Sequence, residues 1–251
     1  MAVKGLWIKE IHAGKFKFGI GLLIMGVTAV AIPLLYDVLI KLVNMMPVPL
    51  GFESQINVLK NYEKYIWSQW FGKSLYQQAA VLAVIFGAGI ISWEVSHKTV
   101  QFLLSRPVRR EEIFKAKYFV GLGSLGTAMV ISTLVMYISV LATGHRFPLL
   151  SLAQYLVLAL AGVGVIFSFS VYYSTVFDQP RKSAVVSFVT ALFLFIPGAL
   201  PGMQKMSLYY HMSGVSLMEE GRFPILALSV MITISIVLYI LGNRRFAKMD
   251  F

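Results

Sequence analysis

Long apolar stretches separated by short polar ones dominate the pattern of this chain. A membrane-spanning helix needs about 20 apolar residues to cross roughly 30 Å of hydrocarbon. Six stretches reach or approach that length, near residues 18–43, 75–92, 118–141, 149–171, 184–200 and 225–241. The pattern therefore predicts an all-α integral membrane protein with six transmembrane helices, in a single transmembrane domain over residues 1–251.

Three segments outside these spans have patterns of their own. In residues 1–17, apolar residues recur at helical spacing and basic residues fall mostly on other sides of the helix. This pattern predicts an amphipathic helix in the membrane interface. Residues 51–74 mix charges with Tyr and Trp, which is typical of an anchor or lid at the outer membrane face. Residues 201–224 are too polar to span, and could enter a membrane only where protein or water shields them.

Composition and charge support a membrane protein. Hydrophobic residues make up 58% and charged residues only 13%, with a mean hydropathy of +0.76, whereas soluble domains carry about 25% charged residues. The net charge of +11 sits in short patches between apolar runs, so we expect no nucleic-acid partner. With both termini on one side, that side holds 15 of the 22 Lys and Arg residues, which predicts cytoplasmic termini.

Two glycine-containing motifs suggest nucleotide binding but lack the required context. GLGSLG, with Gly121, Gly123 and Gly126, falls inside an apolar span and follows no strand, so close helix packing explains it better. GKS at 72–74 would need a glycine at position 67, where Trp67 stands. We therefore expect this chain to bind no nucleotide.

Other candidates for chemistry are sparse. The chain has no cysteine, and its four histidines have no spacing that suits a metal. Asp37, inside an apolar run, has Lys41 one helical turn later, which predicts an ion pair near the membrane edge. The sequence therefore predicts no catalytic, cofactor-binding or metal-binding residue.

Residues 93–117, WEVSHKTVQFLLSRPVRREEIFKAK, form a charged interruption between the second and third spans. Pro107 disfavours helix at the residue before it, and Glu111 with Glu112 suits the start of a following helix. We therefore expect a stiff elbow, in which a short exposed helix and a break precede a helix continuous with the third span. An ordinary basic loop that obeys the charge bias is the alternative.

The order of residues within this elbow is specific. Glu94, Thr99, Leu103, Leu104, Ser105, Pro107, Arg110, Ile113 and Lys117 fit the pattern E-x4-T-x3-LLS-x-P-x2-R-x2-I-x3-K. This pattern, together with six spans and a terminal RRFAKMDF, resembles the permease subunits of the type-2 ATP-binding-cassette (ABC) transporter family. The resemblance covers the whole chain in architecture and only the elbow in sequence detail.

The resemblance implies a function and partners. The elbow would be the coupling helix that docks on a separate ATPase subunit, which would bind the ATP and Mg²⁺. The implied docking and transmission residues are Glu94, Thr99, Leu103, Leu104, Ser105, Pro107, Arg109, Arg110 and Lys117. A second permease subunit, identical or related, would complete an exporter in the plasma membrane of a bacterium or archaeon. The cargo would be an amphipathic peptide or a hydrophobic drug.

Two other classes of protein stay open at this point. A secondary transporter driven by an ion gradient often shows internal repeats and ionisable residues at mid-membrane depth, and this sequence shows neither clearly. A membrane-embedded enzyme would need a catalytic constellation, and none is visible in the sequence.

Overall fold

The computed structural model describes residues 2–45, 59–97 and 109–249, and most of these residues are helical. Six of the helices described, counting a helix and its direct continuation as one, are long and apolar enough to cross a membrane. The predicted all-α membrane fold with six spans is therefore confirmed. The helices are α1 (Ala2–Met45), α2 (Tyr62–Ile66), a π-helix (Trp67–Ser74), α3 (Leu75–Gly87), α4 (Ser92–Ser96), α5 (Arg110–Ala142), α6 (Leu149–Val176), α7 (Pro180–Ala199), a 3₁₀ turn (Gln204–Met206), α8 (Leu208–Met212), α9 (Val215–Glu220) and α10 (Ile225–Ala247).

The first helix is longer than the pattern predicted. α1 runs without a break from Ala2 to Met45, so residues 2–17 do not form an element separate from the first span. No proline or capping side chain interrupts the helix around residue 17, and the only internal proline is Pro33. At 1.5 Å per residue α1 is about 66 Å long, roughly twice the hydrocarbon thickness. The predicted interfacial helix is thus the beginning of a longer rod.

The second span begins earlier than predicted. The helix continues from Tyr62 through the π-helix into α3, so the later part of the predicted outer segment, residues 62–74, belongs to the bundle. Tyr65, Trp70 and Phe71 are buried in the protein and do not face headgroups. Trp70 Nε1 donates to Thr133 Oγ1 at 3.3 Å, which satisfies the buried indole. The prediction of a lid or headgroup anchor is wrong for these residues, and residues 46–58 lie outside those described.

Close helix contacts at glycines hold the centre of the bundle together. A Cβ at Gly121 would lie 2.9 Å from the ring of Phe167 on α6, and one at Gly126 would lie 3.6 Å from Leu160. A Cβ at Gly123 would meet nothing within 4 Å. Gly121, inside α5, therefore allows α5 and α6 to approach closely, as predicted for the GLGSLG motif.

The segment after α7 folds back onto the bundle through short helices. Met212 in α8 is fully buried against Gly162 of α6. The hydroxyl of Tyr209 donates to the carbonyl of Ala191 on α7 at 3.2 Å. Burial raises the pKa of Tyr209 to about 12, so this hydroxyl keeps its proton over the physiological range. Neighbouring helices thus cover α8, whereas residues 200–206 before it are exposed.

The bundle has two ends, which we name by their residues. The terminal face carries Glu10, Glu94, Lys117 and Met249, and therefore the described ends of the chain. The far face carries Tyr36, Tyr62 and His145, with the rings of Tyr62 and His145 stacked at 3.9 Å between centroids.

The predicted ion pair between Asp37 and Lys41 does not form. Both residues lie within the described part of α1, and no nitrogen–oxygen distance of 4.0 Å or less joins them. Asp37 is exposed, so water or headgroups can solvate its carboxylate without a protein partner.

Candidate functional site

A buried ion cluster lies on the terminal face and joins three helices. Lys117 Nζ lies 2.6 Å from Glu94 Oε1 and 3.1 Å from both carboxylate oxygens of Glu10. The side chain of Lys117 is only 5% exposed, and those of Glu10 and Glu94 are 10% and 16% exposed. A buried lysine is tolerated only when it is paired and hydrogen-bonded, and two carboxylates meet that need here.

The positions of these residues along their helices explain why they meet. Lys117 follows Ile113 by four residues and Phe114 by three, so it lies on the buried face of α5. Glu10 follows Leu6 by one turn, and Leu6 is 3% exposed. Both charged groups therefore occupy helix faces that pack inward. Lys9 adds a weaker contact at the edge, 3.7 Å from Glu10 and 3.9 Å from Glu94.

A cavity of about 350 Å³ opens beside the cluster. Its walls combine the charged groups of Glu10, Glu94 and Lys117 with apolar surface from Phe86 and Ile90. Because Glu10, Glu94 and Lys117 lie on α1, α4 and α5, a movement of one of these helices relative to the others would alter their separation.

Arg110 makes a second set of contacts between helices on the terminal face. Its Nη1 donates to the carbonyl of Ala247 at 3.3 Å and also to the carbonyl of Met249. The last carbonyls of a helix lack partners within the helix, and an arginine near them also suits the negative end of the helix dipole. Arg110 therefore fastens the start of α5 to the end of α10.

The predicted site residues divide into two groups. Glu94, Arg110 and Lys117 lie in described residues, and all three lie on the terminal face. Arg109 precedes the first turn of α5 in an extended conformation and is exposed. The remaining predictions lie outside the described residues, so their positions and roles stay predictions: Thr99, Leu103, Leu104, Ser105 and Pro107.

The start of α5 agrees with the expected elbow as far as it is described. Glu111 and Glu112 occupy the first turn of α5, where the positive end of the helix stabilises carboxylates. The residue before that turn, Arg109, has ψ of 146°, so the helix does not extend backwards through it. The structure therefore places a helix start at the predicted junction.

Sequence reasoning missed Glu10 as a partner of Lys117. The signal was present, because Glu10 is an acid on the same helix face as Leu6 in a segment otherwise rich in lysine. An acid on the buried face of an amphipathic helix requires a cation nearby. The sequence alone did not show which of the many lysines would supply it.

The described histidine and acidic side chains do not cluster as metal ligands would. Within residues 2–45, 59–97 and 109–249, no group of three or more His, Asp or Glu side chains could hold a metal ion. His12, His97 and His211 each bond to a backbone carbonyl, and the ring of His145 contacts Thr143.

The fold and this site define a multi-pass helical membrane protein whose helices are joined by ion pairs and hydrogen bonds at the terminal face. Comparison with known families makes the class specific, because residues 22–220 match the ABC-2 family transporter protein. The chain belongs to this family and is a transmembrane subunit of an ABC transporter, which confirms the resemblance found in the elbow. Membership of the family implies an ATPase partner and a membrane location.

One relative supports the same assignment. The chain is 24% identical to the uncharacterized membrane protein YdbK of Bacillus subtilis (strain 168). The similarity covers 75% of this chain and 84% of that protein, so it extends through most of the bundle.

Proposed function

We propose that the chain is the permease subunit of an ABC exporter, powered by a separate ATPase subunit and paired with a second permease subunit. The terminal face would lie in the cytoplasm of a bacterium or archaeon. The ATPase would bind ATP and Mg²⁺, and this chain would bind neither. The observation that carries the proposal is the cluster at Lys117, which joins both flanks of the predicted coupling segment to α1.

The contacts around the predicted coupling segment suggest how its displacement would be transmitted to the helices. Residues 98–108 connect the end of α4 to the start of α5, and Lys117 links Glu94 on one flank to α5 on the other. Its contact with Glu10 extends the link to α1, and Arg110 extends it to α10. A displacement of the segment by the ATPase would therefore move three long helices together.

Ion pairs suit this role because their geometry is directional. A buried, doubly paired lysine resists separation from its carboxylates more strongly than apolar contacts resist sliding. Replacing the whole cluster by neutral groups would keep the packing and remove this stiffness. The proposed coupling therefore predicts variants that fold but transmit poorly.

A triple variant tests the coupling. Lys117→Met, Glu10→Gln and Glu94→Gln together should retain the fold and co-purify with the ATPase encoded by a neighbouring gene. Cargo-stimulated ATP hydrolysis in lipid vesicles should fall severalfold or more. The matched control is Lys205→Met with Glu220→Gln, which removes an exposed ion pair of 3.2 Å far from the cluster. Unchanged stimulation in the triple variant would contradict the role of the cluster.

A second experiment tests the docking residues. Arg110→Ala combined with Leu103→Ala should weaken capture of the ATPase or uncouple it from transport. Failure of any ATPase to co-purify with the unaltered chain, together with unchanged transport by this double variant, would contradict the proposal. Transport that needs no ATP and stops with an ionophore would instead indicate a gradient-driven transporter.

We also propose an amphipathic or hydrophobic cargo, such as a peptide or an apolar drug. The support is composition, since the chain has 18 Phe, 12 Tyr and 12 Met residues, and such side chains adapt to apolar ligands of varied shape. Stimulation of ATP hydrolysis by peptides or drugs, and not by small ions, is the expected result.

A further inference from the structure

A second pocket on the terminal face lies between the end of α10 and the end of α6. Its volume is about 460 Å³, and its wall includes Arg244, Arg245 and Lys248 with a single acid, Asp178. Three cations therefore face one carboxylate across an open space. The cluster at Lys117 has a separate cavity, and the proposed coupling does not use this second pocket.

The described surroundings leave this positive charge without a protein counter-ion. None of the ion pairs found in residues 2–45, 59–97 and 109–249 includes Arg244, Arg245 or Lys248. Asp178 is exposed and lies two residues before the first residue of α7, Pro180, where the positive helix end stabilises it. An anionic ligand would complete the charge balance of the described residues.

The wall of the pocket is held in place on two sides. Arg245 Nε donates to the carbonyl of Thr175 at 3.0 Å, which ties the end of α10 to the end of α6. Arg110 binds the carbonyls of Ala247 and Met249 from the opposite side. The backbone that carries Arg244 and Lys248 is therefore fixed before any ligand arrives.

One face of α10 leads from an apolar surface directly into this basic pocket. Val237, Leu241, Arg244 and Lys248 are spaced by four, three and four residues, so they lie on one side of the helix. Val237 and Leu241 are 47% and 45% exposed, so they present an apolar surface that acyl chains would contact where no partner subunit covers it. An apolar strip that ends in two exposed cations matches a molecule with an apolar tail and an anionic head.

We propose that this pocket binds the phosphate of an anionic phospholipid from the leaflet at the terminal face. One acyl chain follows Val237 and Leu241, and the phosphate accepts charge-assisted hydrogen bonds from Arg244 and Lys248. Each basic residue near an anionic membrane surface contributes about fivefold in affinity. The site requires neither the ATPase nor the cargo, so it stands independently of the proposed function.

The test measures lipid binding directly. The unaltered chain and the variant Arg244→Gln with Lys248→Gln are placed in phosphatidylcholine nanodiscs that contain a small fraction of phosphatidylglycerol. Native mass spectrometry then counts the retained phosphatidylglycerol. The double variant should bind it about 25-fold more weakly, at about fivefold per cation. The charge-retaining variant Arg244→Lys with Lys248→Arg should keep most of the affinity and excludes misfolding as the cause.

The matched control removes two exposed cations near the opposite end of the bundle. Arg146→Gln with Arg222→Gln changes the net charge equally and should leave the retained phosphatidylglycerol unchanged. Equal retention by the two neutralised double variants would overturn the proposal, as would an unaltered chain that does not prefer phosphatidylglycerol to phosphatidylcholine. Loss of ATPase capture with full lipid retention would assign these cations to the ATPase and also overturn it.

Discussion

At the scale of single residues, Lys117 carries a charge that its burial alone would not permit. Its two carboxylate partners are themselves largely buried, so removal of the lysine takes away their shortest ion pairs and keeps only the longer contacts of Lys9, at 3.7 and 3.9 Å. We expect Lys117→Met to lower the free energy of unfolding by about 3 kcal/mol. Thermal melting of the purified chain in detergent measures this loss.

The same measurement separates the charge from the packing. The triple variant with Glu10→Gln and Glu94→Gln removes all three charges, and replacing a buried ion cluster by neutral groups often costs little. It should therefore melt near the temperature of the unaltered chain. A Lys117→Met variant as stable as the unaltered chain would show that the cluster is not desolvated.

Gly162 is the residue where α6 comes closest to the segment after α7. A Cβ at this position would lie 2.3 Å from the Cβ of Met212, so alanine would force α8 away from the bundle. We expect Gly162→Ala to cost about 2 kcal/mol of stability. In the control Gly164→Ala, the nearest atom to the new Cβ is Ser235 Oγ at 3.7 Å, which is an ordinary contact distance. This variant should therefore keep the stability of the unaltered chain. An equal decrease in the melting temperatures of the two variants would contradict the close approach at Gly162.

At the scale of elements, Trp67 connects the π-helix to the folded-back segment. Its Nε1 donates to the carbonyl of Ser213 at 3.0 Å. Trp67→Phe removes one hydrogen bond of about 1 kcal/mol, so amides in α8 and α9 should exchange with deuterium about fivefold faster. Trp93→Phe, on the terminal face and 58% exposed, should leave that exchange unchanged. Equal exchange in both variants would mean that other contacts hold the segment.

The elements themselves were predictable where apolar length decides the structure, and less so where packing decides it. Continuous apolar runs locate six spans, because lipid leaves a helix as the only way to satisfy the backbone of a single segment. The start of the second span at Tyr62 was hidden, because residues 62–74 contain charged side chains that interrupt the apolar pattern. Those side chains stay exposed while Tyr65, Trp70 and Phe71 pack into the bundle. The absence of a break near residue 17 was also hidden, since an amphipathic pattern does not show where a helix turns.

The candidate site was predictable only in part for a similar reason. The spacing in residues 94–117 selected Glu94, Arg110 and Lys117 as docking and transmission residues, since a local pattern carries their identity, and that role stays a prediction. The partners of these residues come from distant parts of the chain: Glu10 is 107 positions before Lys117, and Met249 is 139 positions after Arg110. Spacing along the chain holds no information about such pairs, so only the fold reveals the cluster.

At the scale of the whole molecule, the orientation in the membrane decides whether the terminal face can meet an ATPase. The chain has no cysteine, so single cysteines report their location without interference. We expect Arg222→Cys to react with a membrane-impermeant maleimide in intact cells. Lys248→Cys should react only after the membrane is permeabilised, because the charge bias predicts that the terminal face lies in the cytoplasm.

The labelling result tests the orientation of the chain because the two labelled positions lie at opposite ends of one helix. Arg222 and Lys248 lie just outside opposite ends of α10, which runs from Ile225 to Ala247, a length of about 35 Å at 1.5 Å per residue. If α10 spans the membrane, the two cysteines must report opposite sides. The reverse pattern would put Lys117 and the coupling segment outside the cell, where no ATPase operates, and would end the exporter proposal. Labelling of both positions in intact cells would show instead that α10 does not span.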